Sequence, residues 1–388
     1  MARLKVPVLQ IIHYSDIHIV GKDYWQKHAA TQWFMKRLPT TLQQGVVGAD
    51  TSALRAFVDY LRDDIALDPV WKDLPTWLID TGDGTTFGDD ESLDAWLNVW
   101  SPRFLSAAGP NARQQILYGN HDAWPGTFPL QAPTHMEAQR DALRKTRFKD
   151  TWPVAPLRAR LHGAAEIQLY VLNSVDHELW ANTRAQGQVL PDRHWEHPAP
   201  QLGPTAASGL RRTIAAHRQP APAKDLRILA MHYPVCDAAT TGKRWTELLL
   251  NRTPFAADIA PPPGESEPMV HLVMSGHTHD GFPSLGLLPN GAGSTQHLPL
   301  ETPQMQLVTP SLSQFNTLPA PTSNSYHADC LFDFPYQFSL LRIFAYPATP
   351  EEVSIERSIV GSAVGGAFGF LPITPGSLRT HEELTLTV

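Results

Sequence analysis

Several short apolar segments of this chain end abruptly in residue types that commonly bind metals. The clearest is the segment 115–122, QILYGNHD, whose apolar run is predicted to be a buried strand. Gly119 allows the chain to turn sharply there, and Asn120, His121 and Asp122 follow at once. An amide oxygen, an imidazole and a carboxylate directly after a buried strand indicate chemistry rather than packing. The other predicted strands that end in polar clusters of this kind span 6–14, 76–80, 226–231 and 269–274.

These polar clusters are expected to meet at one edge, because ligands of α/β sheets bind beyond the carboxyl ends of the strands. Their side chains offer nitrogen and oxygen ligands suited to Zn²⁺, Mn²⁺ or Fe, without a competing thiolate. Each cluster alone is a weak signal, since an Asp in a turn or a His at the end of a strand usually has a structural role. Together they predict a metal site formed by Asp16, His18, Asp83, Asn120, His232, His277 and His279.

The number of ligands favours two ions over one. Seven residues are more than a single ion needs, but if Asp83 bridges two ions, each ion receives four protein ligands. Positions then remain for a shared water and a substrate oxygen. This is the two-metal arrangement, with the ions about 3.5–4 Å apart, that serves in-line displacement at phosphorus.

Five sequence blocks, in this order, resemble the signature of calcineurin-like metallophosphoesterases. They cover the chain from the first predicted strand to about residue 280, and their combination is far more specific than any one block. The blocks are Asp16-x-His18, Gly82-Asp83, Gly119-Asn120-His121-Asp122, His232 and Gly276-His277-x-His279.

The resemblance implies a fold, a cofactor and roles for individual residues. The fold would be an α/β, four-layer-type β-sandwich flanked by helices, whereas the alternation of strands and helices alone predicts an open, doubly wound sheet. The cofactor would be two divalent transition metal ions (Mn, Fe or Zn). One ion would be held by Asp16, His18, Asp83 and His279, and the other by Asp83, Asn120, His232 and His277.

The resemblance also implies a catalytic pair. His121 would serve near the leaving group, with Asp122 fixing its tautomer. The two ions would lower the pKa of a bridging water, so that hydroxide attacks phosphorus near neutral pH. One block departs from the family pattern, because Thr86 stands where a supporting Asp is usual. We expect Asp80 or Asp89 to replace that support.

Length and composition indicate a single globular unit. The chain has 388 residues, of which 42% are hydrophobic and 18% charged, enough for a substantial core. We predict one domain over 1–388, with a motif-bearing core at about 6–285 and a β-rich part at about 300–388. Further strands are predicted at 166–172, 304–309, 337–346 and 352–360, and helices at 51–66, 90–106, 136–148 and 206–217.

The predicted partner is a phosphoester small-molecule substrate, and a phosphodiester is favoured over a phosphomonoester. The formal net charge of −7 disfavours a broad nucleic-acid surface, so a metal-dependent nuclease is the enzymatic alternative. A non-catalytic interaction module with the same fold is the alternative from another class. The oligomeric state is left open.

The sequence also bears on location and on the loops near the site. It contains neither a predicted transmembrane segment nor a signal peptide, and only two cysteines, Cys236 and Cys330, so a cytoplasmic location is expected. The aromatic and basic segment 22–37 is a candidate substrate lid. The segment 177–203, which includes His194 and His197, is a candidate pocket wall.

Overall fold

The chain folds into a mixed α/β structure with two mixed sheets and few helices. The computed structural model describes residues 4–21, 48–86, 88–122, 147, 155–172, 174, 206–217, 219, 224–235, 259, 267–277, 284–287, 305–309, 311–313, 336–362, 369–372 and 381–387.

The described strands and helices follow one another in this chain order. The strands are β1 (Val6–Tyr14), β2 (Thr76–Asp80), β3 (Ala112–Ile116), β4 (Leu157–His162), β5 (Ala165–Val171), β6 (Leu226–Ala230), β7 (Leu272–Ser275), β8 (Ser284–Leu287), β9 (Met305–Val308), β10 (Tyr336–Ala345), β11 (Glu352–Ser362), β12 (Leu371–Pro372) and β13 (His381–Thr387). The helices are α1 (Thr51–Tyr60), α2 (Asp90–Asp94), α3 (Ser101–Ala107) and α4 (Ala206–His217). Two π-helical segments, Leu61–Ile65 and Ala95–Trp100, continue α1 and α2.

The first sheet has the strand order β12-β11-β10-β1-β2-β3, and β13 also pairs with β11. Strands β1, β2 and β3 are parallel, so their carboxyl ends lie at one edge. Strand β10 runs antiparallel to β1. The C-terminal strands β10 and β11 therefore extend the sheet that begins with the N-terminal strand.

The second sheet has the strand order β4-β5-β6-β7-β9-β8. Its four central strands, β5, β6, β7 and β9, are parallel, and the two edge strands are antiparallel to their neighbours. Strands β5, β6 and β7 are mostly apolar and almost entirely buried, as parallel strands usually are.

Apolar side chains from both sheets form one shared core. Leu9 and Ile11 of β1 belong to the same buried cluster as Ile228 of β6 and Leu272 of β7. Because successive side chains of a strand point to opposite faces, the residues between them face the other way. Ile12 and Tyr14 accordingly belong to a second cluster, which includes residues of the helical region 51–108.

The helices begin where the sequence predicts. Asp50 caps α1 by accepting hydrogen bonds from the backbone N–H of Ser52 (2.9 Å) and Ala53 (3.3 Å). Helix α4 lies over the outer face of the second sheet, where the His217 carbonyl accepts a hydrogen bond from Gln168 (3.0 Å). Among the helices described, none is long and apolar enough to cross a membrane.

Most predicted elements are present, and three differences are informative. Two mixed sheets with a shared core replace the open, doubly wound sheet predicted from alternation alone. Strand β3 covers Ala112–Ile116, so Leu117 and Tyr118, which were predicted to belong to the third strand, lie beyond its end. At this edge strand, pairing of main-chain groups with β2 decides the strand position more than apolar run length does. Strand β7 begins only at Leu272, and the predicted helix at 136–148 lies outside the described residues.

The late start of β7 reflects a buried contact between β6 and the segment before β7. The backbone N–H of Arg227 donates to His271 Nδ1 (3.1 Å), and the Arg227 guanidinium donates to the Met269 carbonyl (2.7 Å) and to Glu267 (2.6 Å). Burial lowers the pKa of His271 to about 3, and the charge of Arg227 acts in the same direction. The imidazole is therefore neutral in the folded chain at neutral pH.

This buried histidine makes stability depend on pH. In the unfolded chain His271 takes up a proton below a pKa of about 6.5, whereas in the folded chain it does so only near 3, so its contribution is complete above pH 6.5 and is lost as the pH falls towards 3. The His271→Asn variant keeps an acceptor for the Arg227 N–H. We expect its unfolding free energy to fall by about 2 kcal/mol less than that of the wild type when the pH is lowered from 7 to 5. Urea unfolding at both pH values measures this. Equal losses in the two proteins would contradict the assignment.

Candidate metal centre

The predicted ligands lie in the segments that follow parallel strands of both sheets. Asp16 and His18 follow β1, Asp83 follows β2, Asn120 follows β3, and His232 follows β6. His277 follows β7 in the same way. The two sheets meet here, since the backbone N–H of His277 donates to Asp16 Oδ2 (2.9 Å) and His232 Nδ1 lies 2.8 Å from the Thr81 carbonyl. Side chains far apart in sequence are therefore brought to one edge.

Asp83 is common to two groups of possible ligands. One ligand atom each from His18, Asp83 and His121 lie within 4.8 Å of one another, and so do ligand atoms from Asp83, His232 and His277. Asp83 is fully buried, and burial would raise its pKa; the charges of His232, His121 and His18 nevertheless hold that pKa well below its usual value. The carboxylate is thus ionised and lies between two sets of imidazoles.

The group around His232 has the spacing of a metal-binding shell. His232 Nε2 lies 2.9 Å from Asn120 Oδ1 and 3.4 Å from Asp83 Oδ2. Two ligands that are each about 2.1 Å from one ion, at an angle of about 90–110°, are separated by about 3.0–3.4 Å. His232 Nδ1 lies 2.8 Å from the Thr81 carbonyl, which only accepts, so Nδ1 carries a proton and Nε2 is the ring nitrogen that faces the two oxygens.

Three acceptor atoms that face one another require a cation between them. Burial lowers the pKa of His232, but the charge of Asp83 and the hydrogen bonds to Asp83 and Thr81 raise it to about 9. Without a metal, a proton at Nε2 therefore meets this requirement. A divalent cation bound to the same three atoms would displace that proton, so the donor set fits a transition metal ion.

The second group is arranged around His18 and His121. The two rings contact edge to face, with centroids 4.7 Å apart. The backbone N–H of His121 donates to Asp83 Oδ1 (2.8 Å). The ring atom Nδ1 lies 2.9 Å from the Thr86 carbonyl, so Nδ1 carries the proton and Nε2 faces away from Thr86. Asp16 Oδ1 lies 3.9 Å from His18 Nε2, which is a longer separation than those in the His232 group.

Backbone strain in the described part of the chain is concentrated at these residues. Among the described residues other than glycine, the positive φ angles are those of Asp16 (55°), His18 (57°), Asp83 (54°) and His277 (73°). Each such conformation costs free energy and persists only where surrounding contacts enforce it. All four are candidate ligands, which indicates that the backbone is held to present these side chains.

Gly119 has a steric reason to be glycine. A Cβ at this position would lie 2.1 Å from Asp83 Oδ1 and 2.6 Å from the His232 ring. The turn after β3 can therefore approach Asp83 closely only because it has no side chain at this point.

The predicted pairing of Asp122 with His121 is wrong. The Asp122 carboxylate is buried and accepts hydrogen bonds from the backbone N–H groups of Gly84 (3.3 Å), Thr85 (2.7 Å) and Gly119 (2.7 Å), and from the Thr85 hydroxyl (2.8 Å). These donors occupy both of its oxygens, while His121 Nδ1 bonds to the Thr86 carbonyl instead. Asp122 therefore joins the turn after β2 to the turn after β3, and it is not a catalytic partner of His121.

Thr86, which departs from the family pattern, supports the site directly. Its hydroxyl donates to the His18 carbonyl (2.9 Å), and its own carbonyl accepts from His121. Of the two expected substitutes, Asp80 accepts from the Gly82 N–H (3.1 Å) and so supports the turn that carries Asp83. Asp89 instead caps α2, which makes its expected supporting role wrong.

The sequence prediction missed several supporting residues. The Thr81 carbonyl orients His232, and only the structure shows this, because the group is a main-chain one. The hydroxyls of Ser311 and Ser313 donate to the carbonyls of Asp16 (2.6 Å) and Ile17 (2.7 Å). The sequence TPSLS at 309–313 is the available signal for these two serines.

Some predicted features lie outside the described residues. They are His279, the segments 22–37 and 177–203, and both cysteines. Comparison with models of protein families and with curated proteins gives no match. The interpretation of the site therefore depends on its own geometry.

Metal titration tests whether Asp83 is shared. We expect the wild type to bind two Mn²⁺ ions. Asp83→Asn should lower the affinity for each ion by roughly 100-fold or more, because it removes a ligand from both. His18→Gln and His232→Gln should each weaken the binding of a different ion. His217→Gln, at the C-terminal end of α4, is the control. Isothermal titration calorimetry with elemental analysis measures these effects. If His18→Gln and His232→Gln lost the same ion, the assignment of these two histidines to different metal-binding groups would be contradicted.

The role found for Asp122 predicts an effect on stability. In Asp122→Asn an amide N–H₂ would face backbone N–H donors, so we expect a loss of about 1–3 kcal/mol in unfolding free energy. Asp73→Asn, which changes an exposed carboxylate, should have little effect. Denaturant unfolding measures both variants. An unchanged stability of Asp122→Asn would contradict its role as a brace between the two turns.

Proposed function

We propose that this protein is a phosphoester hydrolase that uses two divalent transition metal ions (Mn, Fe or Zn), with phosphodiesters as the preferred substrates. The observation that carries the proposal is the buried Asp83 carboxylate shared by two imidazole-rich groups. Paired metal sites that share a ligand are characteristic of enzymes that catalyse in-line displacement at phosphorus.

The fold and the five sequence blocks support the proposal from independent directions. Two sheets share a core, helices pack on the outer faces, and the described residues of the five blocks fall at the carboxyl ends of parallel strands. This agrees with the layered β-sandwich of calcineurin-like metallophosphoesterases, which the blocks resemble. A random set of Asp, Asn and His residues would not meet at one edge in this way.

When bound, two divalent cations would neutralise a phosphoryl group and activate water as the nucleophile. Asn120 provides a further contact, because its Nδ2 is buried and has no hydrogen-bond partner in the described part of the chain. With Oδ1 directed at His232, Nδ2 is free to donate to a phosphoryl oxygen. Asn120 would therefore bind metal and substrate with different ends of one amide.

His121 would supply the proton for the leaving group. Its side chain is only partly buried, and the Thr86 carbonyl holds its Nδ1–H. Nε2 is consequently the atom that can carry a second proton to a leaving alkoxide. The carbonyl of Thr86 performs the orienting role that the sequence assigned to Asp122.

The assignment of His121 predicts a dependence on the leaving group. We expect His121→Gln to lower kcat by about 10²- to 10⁴-fold for a diester with an alkyl leaving group, because an alkoxide needs a proton. For p-nitrophenolate, which leaves without one, the loss should be much smaller. Steady-state kinetics with Mn²⁺ and elemental analysis of bound metal provide the measurement, with His217→Gln as the control. Full activity of His121→Gln on the alkyl diester would overturn the role.

A substrate panel tests the proposed function itself. With Mn²⁺, the protein should hydrolyse bis-p-nitrophenyl phosphate faster than p-nitrophenyl phosphate, and EDTA should abolish both reactions. Cleavage of single-stranded DNA tests the nuclease alternative. Bound metal without turnover on any phosphoester would favour the interaction module.

A further inference from the structure

A buried histidine that the proposed reaction does not use lies directly beneath the candidate metal centre. His13 is on β1 and has no solvent exposure. It lies on the same face of the strand as Leu9 and Ile11, which belong to the core between the sheets. Burying an imidazole in such a core costs free energy unless its nitrogen atoms form hydrogen bonds, so the partners of both nitrogens need to be identified.

One of its two nitrogens is explained by Thr81. His13 Nε2 lies 3.1 Å from Thr81 Oγ1, and Thr81 Oγ1 lies 3.5 Å from the Tyr14 carbonyl, to which its hydroxyl can donate. Since that hydroxyl has a single hydrogen, the His13–Thr81 contact is satisfied when Nε2–H donates to Oγ1. Burial lowers the pKa of His13 to about 3, so the ring is neutral and Nδ1 keeps a lone pair.

The other nitrogen faces a second unsatisfied group. Within the described residues, His13 Nδ1 and the hydroxyl oxygen of Ser339 are both buried without a hydrogen-bond partner. The two residues are directly opposite in the antiparallel pairing of β1 and β10. Opposite side chains on one face have Cβ atoms about 4.5–5.5 Å apart, so one water can reach both groups.

Thr81 connects this buried pair to the metal centre. Its N–H donates to the Tyr14 carbonyl (3.1 Å), and its own carbonyl accepts from His232 Nδ1 (2.8 Å). Thr81 also opens the short turn that carries Asp83. A residue that restrains the Thr81 side chain therefore restrains the carbonyl that orients His232.

We propose that His13 is a positioning residue that holds Thr81 against His232, and that an ordered water bound between His13 Nδ1 and Ser339 holds His13 in turn. The ligand of this buried site is water, because a water can donate to His13 Nδ1 and accept from the Ser339 hydroxyl. The effect on metal binding rests on the proposed metal centre, whereas the water site does not.

Two substitutions separate the two nitrogens of His13. Glutamine can place its amide nitrogen near the position of Nε2 and keep the bond to Thr81, while asparagine can place an acceptor near Nδ1 but does not reach Thr81. We expect His13→Asn to weaken binding of the Mn²⁺ ion that depends on His232 by about 5- to 10-fold, near the lower limit for supporting residues. His13→Gln should retain near-wild-type affinity.

Calorimetry with Mn²⁺, and melting temperatures of the metal-free variants, make the test. A merely structural role would lower both melting temperatures and leave the two Mn²⁺ affinities equal, which would overturn the positioning role. If a His13 variant fails to fold, Thr81→Val removes the same bond from the other side and should weaken the same ion. Unchanged affinity in Thr81→Val would also overturn it.

A metal-free crystal structure tests the water site separately. It should show density for a water within hydrogen-bond distance of His13 Nδ1 and Ser339, and Ser339→Ala should lose that density. A wild-type structure without water density between His13 Nδ1 and the Ser339 hydroxyl would overturn the water site. A wild type that binds no Mn²⁺ would instead refute the proposed metal centre and the positioning role together, while the density would still decide the water site.

Discussion

The structure around the site depends on one buried charge. Asp83 has no solvent exposure, and a buried ionised carboxylate is tolerated only with compensating charge or hydrogen bonds. Its neighbours are the imidazoles of His18, His121 and His232, and the backbone N–H of His121 in the turn after β3. Strained φ angles at four candidate ligands are a further cost that this arrangement imposes. The proposed pair of divalent cations would supply the compensating charge.

The two-sheet architecture explains how the charge can be surrounded from both sides. The first sheet provides Asp16, His18 and Asp83 at the ends of β1 and β2, and the second sheet provides His232 and His277 at the ends of β6 and β7. Hydrogen bonds of His277 to Asp16 and of His232 to Asn120 show that parallel strands of the two sheets end at a common edge. Main-chain carbonyls, including those of Thr81 and Thr86, then orient the histidines from behind. Much of this support is independent of side-chain identity.

The sequence predicted the candidate ligands better than their supports. Apolar runs and turn residues locate the ends of β1, β2 and β6, and polar residues at those points are visible in one dimension. Hydrogen bonds to main-chain carbonyls are not visible in the sequence, since every residue has a carbonyl. For this reason the sequence predicted a pairing of His121 with Asp122, whereas His121 contacts the Thr86 carbonyl. The antiparallel pairing of β10 with β1 also connects segments more than 300 residues apart, which local periodicity does not encode.

Anomalous diffraction from crystals grown with Mn²⁺ would show whether Asp83 lies between two metal ions. We expect two anomalous peaks about 3.5–4 Å apart. One oxygen of Asp83 should lie between the peaks, with His232 and Asn120 at one of them and His18 at the other. No peak at this edge, or a single peak without contact to Asp83, would contradict a shared carboxylate at a dinuclear centre.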